Sequence, residues 1–244
     1  MRAMALAALV FVGLVSGTVR AAEAEGKLKV LVVWGGHGFN QPAFWQMFKD
    51  NPDIAYTEAK HEKTSEVYDR DDLLTYNAIV LYDFWQNITD DQKKRFESLL
   101  DKGVGLVVLH HALATYQDWP VFEKTVGGKF LLRDEERNGI KVPKSGTGGG
   151  EIALHVCSKD HPITKGMDDF KLQDEYYNKC LVSKDVTLLL TTDCPGNQRE
   201  VAWCHEQGKS RVVYIMSGHD QKVYNDANYR RLLANAIQWA ARKL

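Results

Sequence analysis

Histidines that follow strand-like apolar runs are the residues of this chain whose type and placement suit chemistry. His37 stands after the run at residues 28–34, His110 and His111 after 104–109, and His219 after 211–216. Imidazole titrates near neutral pH, so it serves as general base or acid, worth roughly 10²–10⁴ in rate when well placed; neutral imidazole also ligates metals. One histidine at a strand end is more often a hydrogen-bonded structural residue. Three strand ends delivering imidazoles to one edge reverse that expectation. Adjacent histidines usually point apart, so His110 is assigned to the pocket and His111 to its support.

The acidic candidate is Asp174-Glu175-Tyr176-Tyr177, where a carboxylate beside aromatic rings would complete an acid–base pair or a metal site. A solvated acidic turn fits the composition equally well. Histidine and carboxylate ligands with an open position suit a divalent cation such as zinc. Gly35, Gly36 and Gly38 around His37 allow a tight turn and close backbone approach. Their spacing matches neither GxGxxG nor a phosphate P-loop, so no nucleotide cofactor is expected. His110-His111 occupies the place where many α/β enzymes put a nucleophile, and neither Ser nor Cys stands there. Covalent acyl chemistry therefore lacks its nucleophile. The tryptophans, Trp203 among them, read more readily as core or rim than as ligand platforms, although aromatic faces suit sugars.

The elements that must position these side chains begin with a Val-rich run at 28–34, a strand buried on both faces and hence parallel. Pro42 starts a helix with Phe44, Trp45 and Phe48 on one side. Further strands are expected at 54–59, 78–82 and 104–109. A helix opens at Thr89, with Gln92 at capping-box spacing, which explains Thr89 without invoking Asn87-Ile88-Thr89 as a glycosylation site. Another helix is expected at 119–126. Residues 133–150, polar and glycine-rich, read as a long loop or lid. Extended segments follow at 151–157, 186–192, 200–204 and 211–216, and a last helix buries Tyr229, Leu232, Leu233, Ala236, Ile237 and Ala240. Alternating strands and helices predict an α/β domain with a doubly wound, mostly parallel sheet, helices on both faces and extra strands toward one edge. Ligands collect outside the carboxyl ends of such strands.

The 244 residues suit one domain, and a net charge of −1 offers no excess of cations for nucleic acid or an anionic membrane. A small uncharged partner is expected instead. Met1-Arg2, the apolar run 5–15 and small residues up to Ala24 have the layout of a signal peptide, too short to span a bilayer. This predicts a leader at 1–24, a domain at 25–244, and a periplasmic or secreted protein with no membrane attachment after cleavage. Export makes disulfides feasible: Cys194 and Cys204 flank a turn-like segment and could pair, although free thiols fit as well. A homo-oligomer is compatible with this composition.

Gly35-Gly36-His37, the segment 103–112 ending in His-His-Ala, Gly127-Gly128-Lys129-Phe130 and Asp160-His-Pro-Ile-Thr-Lys-Gly166 resemble the ThuA-like (trehalose utilisation) family. So do Asp174-Glu175-Tyr176, the strand ending in Trp203, and Gly218-His219-Asp220, in the same order along nearly the whole mature chain. The resemblance implies a flavodoxin-like, class I glutamine amidotransferase-like fold without the nucleophilic cysteine. It implies catabolism of trehalose, sucrose and related glycosides through keto-sugars. By motif it makes His37, His110, Glu175 and His219 the catalytic pocket residues: His110 would act as base, Glu175 as acid or metal ligand, and His37 and His219 would bind a metal or relay protons. Gly36, His111, Tyr176, Trp203 and Asp220 would then contact a small-molecule carbohydrate. Arg133 and Asp134 stand where the family often has a histidine. The expected function is hydrolysis, elimination or isomerisation of a glycoside or keto-sugar; the alternative is a non-catalytic carbohydrate- or partner-binding module.

Overall fold

A computed structural model describes residues 26–244, so the leader expected at 1–24 lies outside the described residues. The Val-rich run forms strand β1 (Leu28–Gly35), whose flanks are taken by β2 (Ile54–Lys60) and β3 (Ala78–Asp83), both parallel to it. Next come β4 (Gly105–Leu109), β5 (Gly128–Lys129), β6 (Glu135–Arg137), β7 (Ile140–Val142) and β8 (Gly146–Val156). The chain continues through β9 (Phe170–Asn178), β10 (Leu181–Val182), β11 (Thr187–Thr191), β12 (Glu200–Gln207) and β13 (Ser210–Ile215). Nine of these make one mixed sheet in the order β2-β1-β3-β4-β13-β12-β11-β8-β9.

The pairings from β2 to β13 are parallel, and those from β13 to β9 are antiparallel. The sheet is thus evenly mixed where a mostly parallel one was expected. The parallel strands read as unbroken apolar runs because both their faces are covered. The expected loop at 133–150 is also corrected. A small β6–β7 hairpin occupies its first half, and Gly146–Gly150 opens β8, hydrogen-bonded to β9. Glycine-rich sequence conceals a strand because it lacks the alternation that normally marks one.

Helix α1 (Gln41–Lys49) starts at an Asn40 cap with Pro42 in its first turn. Helix α2 (Asp90–Lys102) carries the complete Thr89–Gln92 capping box and ends at Gly103. Helix α3 (Pro120–Val126), the short α4 (Gln221–Tyr224) and α5 (Ala227–Ala240) follow. Successive residues of a strand point to opposite faces. At the end of β3, Tyr82 packs on Phe44 of α1 with ring centroids 4.4 Å apart. Asp83 turns the other way, toward His61. The α5 face Tyr229, Leu232, Leu233, Ala236 and Ile237 is buried, each large side chain contributing about 1.5–3 kcal/mol.

The Cys194–Cys204 pairing does not form: all four cysteines are free. Cys204 lies within β12 opposite Thr187, whereas Cys194 falls beyond the last β11–β12 pair, Thr191 with Glu200. There its sulfur accepts a hydrogen bond from Ala153 N at 3.2 Å, while the Cys204 sulfur lies 3.5 Å from His161 Nε2.

Candidate functional site

Strand β4 ends at Leu109, and His110 at once adopts a left-handed backbone conformation (φ +49°) that opens a 3-10 turn, His110–Ala114. Such a conformation costs a non-glycine residue about 1–3 kcal/mol and persists where the surroundings enforce it. Two contacts do so. The Tyr214 hydroxyl donates to the His110 carbonyl at 3.2 Å, and the ring stacks on Tyr177 at 4.9 Å and 25°. His110 Nδ1 lies 2.7 Å from the Met216 carbonyl. A carbonyl only accepts, so Nδ1 carries the proton and Nε2 keeps its lone pair. That Nε2 is 3.7 Å from Glu175 Oε1. Burial, reinforced by the neighbouring His111, holds the imidazole well below its ordinary pKa and therefore neutral.

His111 also reaches the cavity, in keeping with the substrate contact that the family motif implied for it and against the expectation that adjacent imidazoles point apart. Its ring sits 4.3 Å from Tyr82 and 4.6 Å from His37. Both its nitrogens are buried without a hydrogen-bond partner, and burial, then the charge of His37, pushes its pKa down to about 3. His37 is exposed on the glycine turn after β1, its ring 6.1 Å from that of His219. The rings of His110 and His219 are 5.3 Å apart.

His219 is placed by a clamp. The buried Asp174 carboxylate accepts from Gly218 N at 2.8 Å and from His219 N at 3.1 Å. Burial raises Asp174 to about 6 against the pull of those two N–H groups. The next residue, Glu175, places Oε2 3.9 Å from His219 Nε2. The β8–β9 arm thus folds back over the carboxyl ends of β4 and β13 and brings its carboxylates to the imidazoles. The result is a cavity of about 280 Å³ lined by His37, Phe84, His110, His111, Ala114, Phe130, Thr147, Glu175 and Tyr177.

Four expected contacts are corrected. Gly36 is a packing position: at φ +75° a Cβ there would stand 1.9 Å from the Phe84 carbonyl oxygen. Tyr176 points away from the cavity and lies against Gly148, while Tyr177 takes the wall. Period-two alternation along β9 puts 175 and 177 on one face, a signal available once that segment is recognised as a strand. Trp203 is fully buried, donating from Nε1 to the Val126 carbonyl at 2.8 Å and packing on Tyr214. Asp220 caps α4 through Lys222 N and does not line the cavity. Phe84 and Thr147 carry no motif that sequence reasoning could have used to assign them to the site, whereas Phe130 and Asp174 fall within the Gly-Gly-Lys-Phe and Asp-Glu-Tyr motifs without having been assigned a role. Among the described residues, the compact ligand set is His110, Glu175 and His219, each offering an atom within 4.8 Å of the others; His37 stands outside it.

The family model described as ThuA, trehalose utilisation, matches residues 29–240. A ThuA-like protein from Parabacteroides merdae superposes with a TM-score of 0.74 at 18% identity, over 88% of this chain and 90% of the other. A ThuA-like protein from Bacteroides uniformis does so with 0.64 at 20%, over 87% and 91%. A Thermoplasma acidophilum protein described as part of a GMP synthase matches with 0.51 at 11%, over 88% and 95%. Among curated proteins, none matches the sequence. At these identities the superpositions speak for the fold, an α/β scaffold similar to ThuA-like and glutamine amidotransferase-like structures.

Proposed function

The chain belongs to the ThuA family of trehalose utilisation, and from that premise we propose that it is an exported enzyme acting on a glycoside or keto-sugar by acid–base chemistry. One observation carries the reading: three imidazoles and one carboxylate, delivered by the ends of β1 and β4 and by β9, line a single cavity. A fourth imidazole, His219, stands against that carboxylate. The arrangement β2-β1-β3-β4-β13 follows the flavodoxin order 2-1-3-4-5, in which ligands bind outside the strand ends. We read the domain as a doubly wound, flavodoxin-like variant of the glutamine amidotransferase scaffold, with His110 in the nucleophile's place. The apolar leader-like stretch at 1–24 supports export. Among the described residues no helix is long and apolar enough to cross a membrane.

The roles follow from tautomer and exposure. His110 Nε2, with its lone pair fixed by the Met216 bond, accepts the proton, from a carbon beside a ketone or from a hydroxyl. Glu175 stabilises the imidazolium so formed. His37 or His219, closer to solvent, donates a proton of its own to the departing oxygen, and solvent then takes the proton held on His110 and restores the donor. Phe84, Phe130 and Tyr177 offer flat apolar walls to a sugar ring. At about 280 Å³ the cavity is at the small end for ligands, so it takes one sugar ring and leaves the remainder outside.

The test is turnover of trehalose, sucrose and their 3-keto forms by the purified chain, His110→Ala and His219→Ala. Loss of roughly 10²-fold or more in both variants is expected. Unchanged turnover in both variants would remove His110 and His219 as the catalytic residues; sugar binding with no turnover by the parent chain would leave a binding module instead.

A further inference from the structure

The atoms that would handle the proton also make a ligand set. We propose that His110 Nε2, Glu175 and His219 Nε2 together hold one divalent transition-metal ion, zinc being the best fit, with an open position facing the cavity. The inference rests on the acid–base reading only for what the ion would be used for. Its geometry stands by itself.

Glu175 bridges the two imidazoles, Oε1 lying 3.7 Å from His110 Nε2 and Oε2 3.9 Å from His219 Nε2. Around zinc, ligand atoms at bond lengths of about 2.0–2.2 Å sit roughly 3–3.5 Å apart. The three ligand atoms lie within 4.8 Å of one another, so closure takes a contraction of up to about 1.3 Å, and it falls on the two partners with freedom to move. The Glu175 and His219 side chains are 29% and 37% exposed, against 1% for His110. The rigid member is already prepared: a metal-ligating histidine ordinarily donates its other ring nitrogen to a carbonyl or carboxylate, and His110 Nδ1 does so to Met216. Asp174 supplies a comparable outer support by holding the backbone of His219. Two imidazoles and one carboxylate are the ligand types of zinc sites with an open fourth position, whereas magnesium and calcium prefer oxygen alone.

Such an ion would polarise a sugar carbonyl or hydroxyl oxygen at the open position. The His110 lone pair would then be shared with the ion, and proton transfer would fall to His37. That residue lies outside the ligand set but on the same cavity.

Chelator-treated protein titrated calorimetrically with zinc should bind one equivalent, and cobalt(II) should give visible bands of a four- or five-coordinate site. Glu175→Gln and His219→Ala should each weaken binding by 100-fold or more with unchanged circular dichroism. His155→Ala, which removes the exposed histidine beside Asp169 and Asp193, should leave binding intact. No stoichiometric binding, or binding that survives both ligand substitutions, overturns the site. Sugar turnover measured on the metal-free and loaded forms keeps the two ideas apart. Turnover that needs His110 but no metal removes the ion and spares the acid–base reading; a bound ion with no sugar turned over does the opposite.

Discussion

At His110 a strained backbone and a fixed tautomer meet in one residue. The left-handed φ of +49° is tolerated by Asn better than by most side chains, and poorly by β-branched ones. His110→Asn is therefore expected to fold with stability within about 1 kcal/mol of the parent chain, while turnover falls by roughly 10²–10⁴ because no basic lone pair remains. His110→Val should lose turnover too, and in addition unfold at lower urea. Urea titrations alongside sugar turnover check both. An Asn variant that turns over like the parent would remove His110 as the base. This strain was not legible in the sequence, since nothing in His-His-Ala tells which of two adjacent imidazoles takes the left-handed position.

Strand β9 is the element that turns a cluster of histidines into a candidate active site. Asp174 satisfies two buried N–H groups of the 217–219 turn, and Glu175 reaches the rings. Removing the clamp in Asp174→Ala leaves those donors unpaired, at about 1–3 kcal/mol per group. The turn should loosen: amide exchange at Gly218 and His219 is expected to quicken, and turnover to fall, while exchange in β1 and β3 stays slow. Equal exchange at Gly218 and His219 in variant and parent would show that the carboxylate does not position the turn. The parallel strands and the helices were legible because apolar runs, the Thr89–Gln92 box and the 3.6-residue spacing of α5 are local signals. The β8–β9 arm was legible only at 151–157, read as extended: its first strand starts earlier, in Gly146–Gly150, and its second mixes Lys171, Gln173 and Asp174 among apolar residues. The hairpin register that separates Cys194 from Cys204 is likewise a long-range property. Alkylation of the unfolded chain without reductant should label all four cysteines; a protected pair would contradict the register.

Across the whole molecule, buried titratable groups on the two sides of β3 set opposing pH dependences. Burial pushes Asp83 up to about 7 and His61 down to about 4. Near pH 5–6 the folded chain thus holds a protonated carboxyl and a neutral imidazole whose closest atoms are 3.9 Å apart. His61, with its folded pKa below the unfolded one, contributes stability that is present above about 6.5 and lost as pH falls toward 4; His111 behaves in the same sense. Asp83 acts oppositely. The folded state keeps a proton that the unfolded state releases, so its contribution is full below about 4 and fades as pH rises to about 7. Asp174, raised to about 6, adds to that trend. His110, also held well below its ordinary pKa, acts in the same sense as His61 and His111, so the imidazoles outweigh the two carboxylates and the parent chain's stability should rise with pH between about 4.5 and 6.5. Asp83→Asn keeps the shape and binds no proton in either state. Its unfolding free energy, from urea titrations at each pH, should rise with pH more steeply than the parent's, by up to about 1.4 kcal/mol per unit. Parallel profiles for the two chains would mean that Asp83 holds no extra proton in the folded protein.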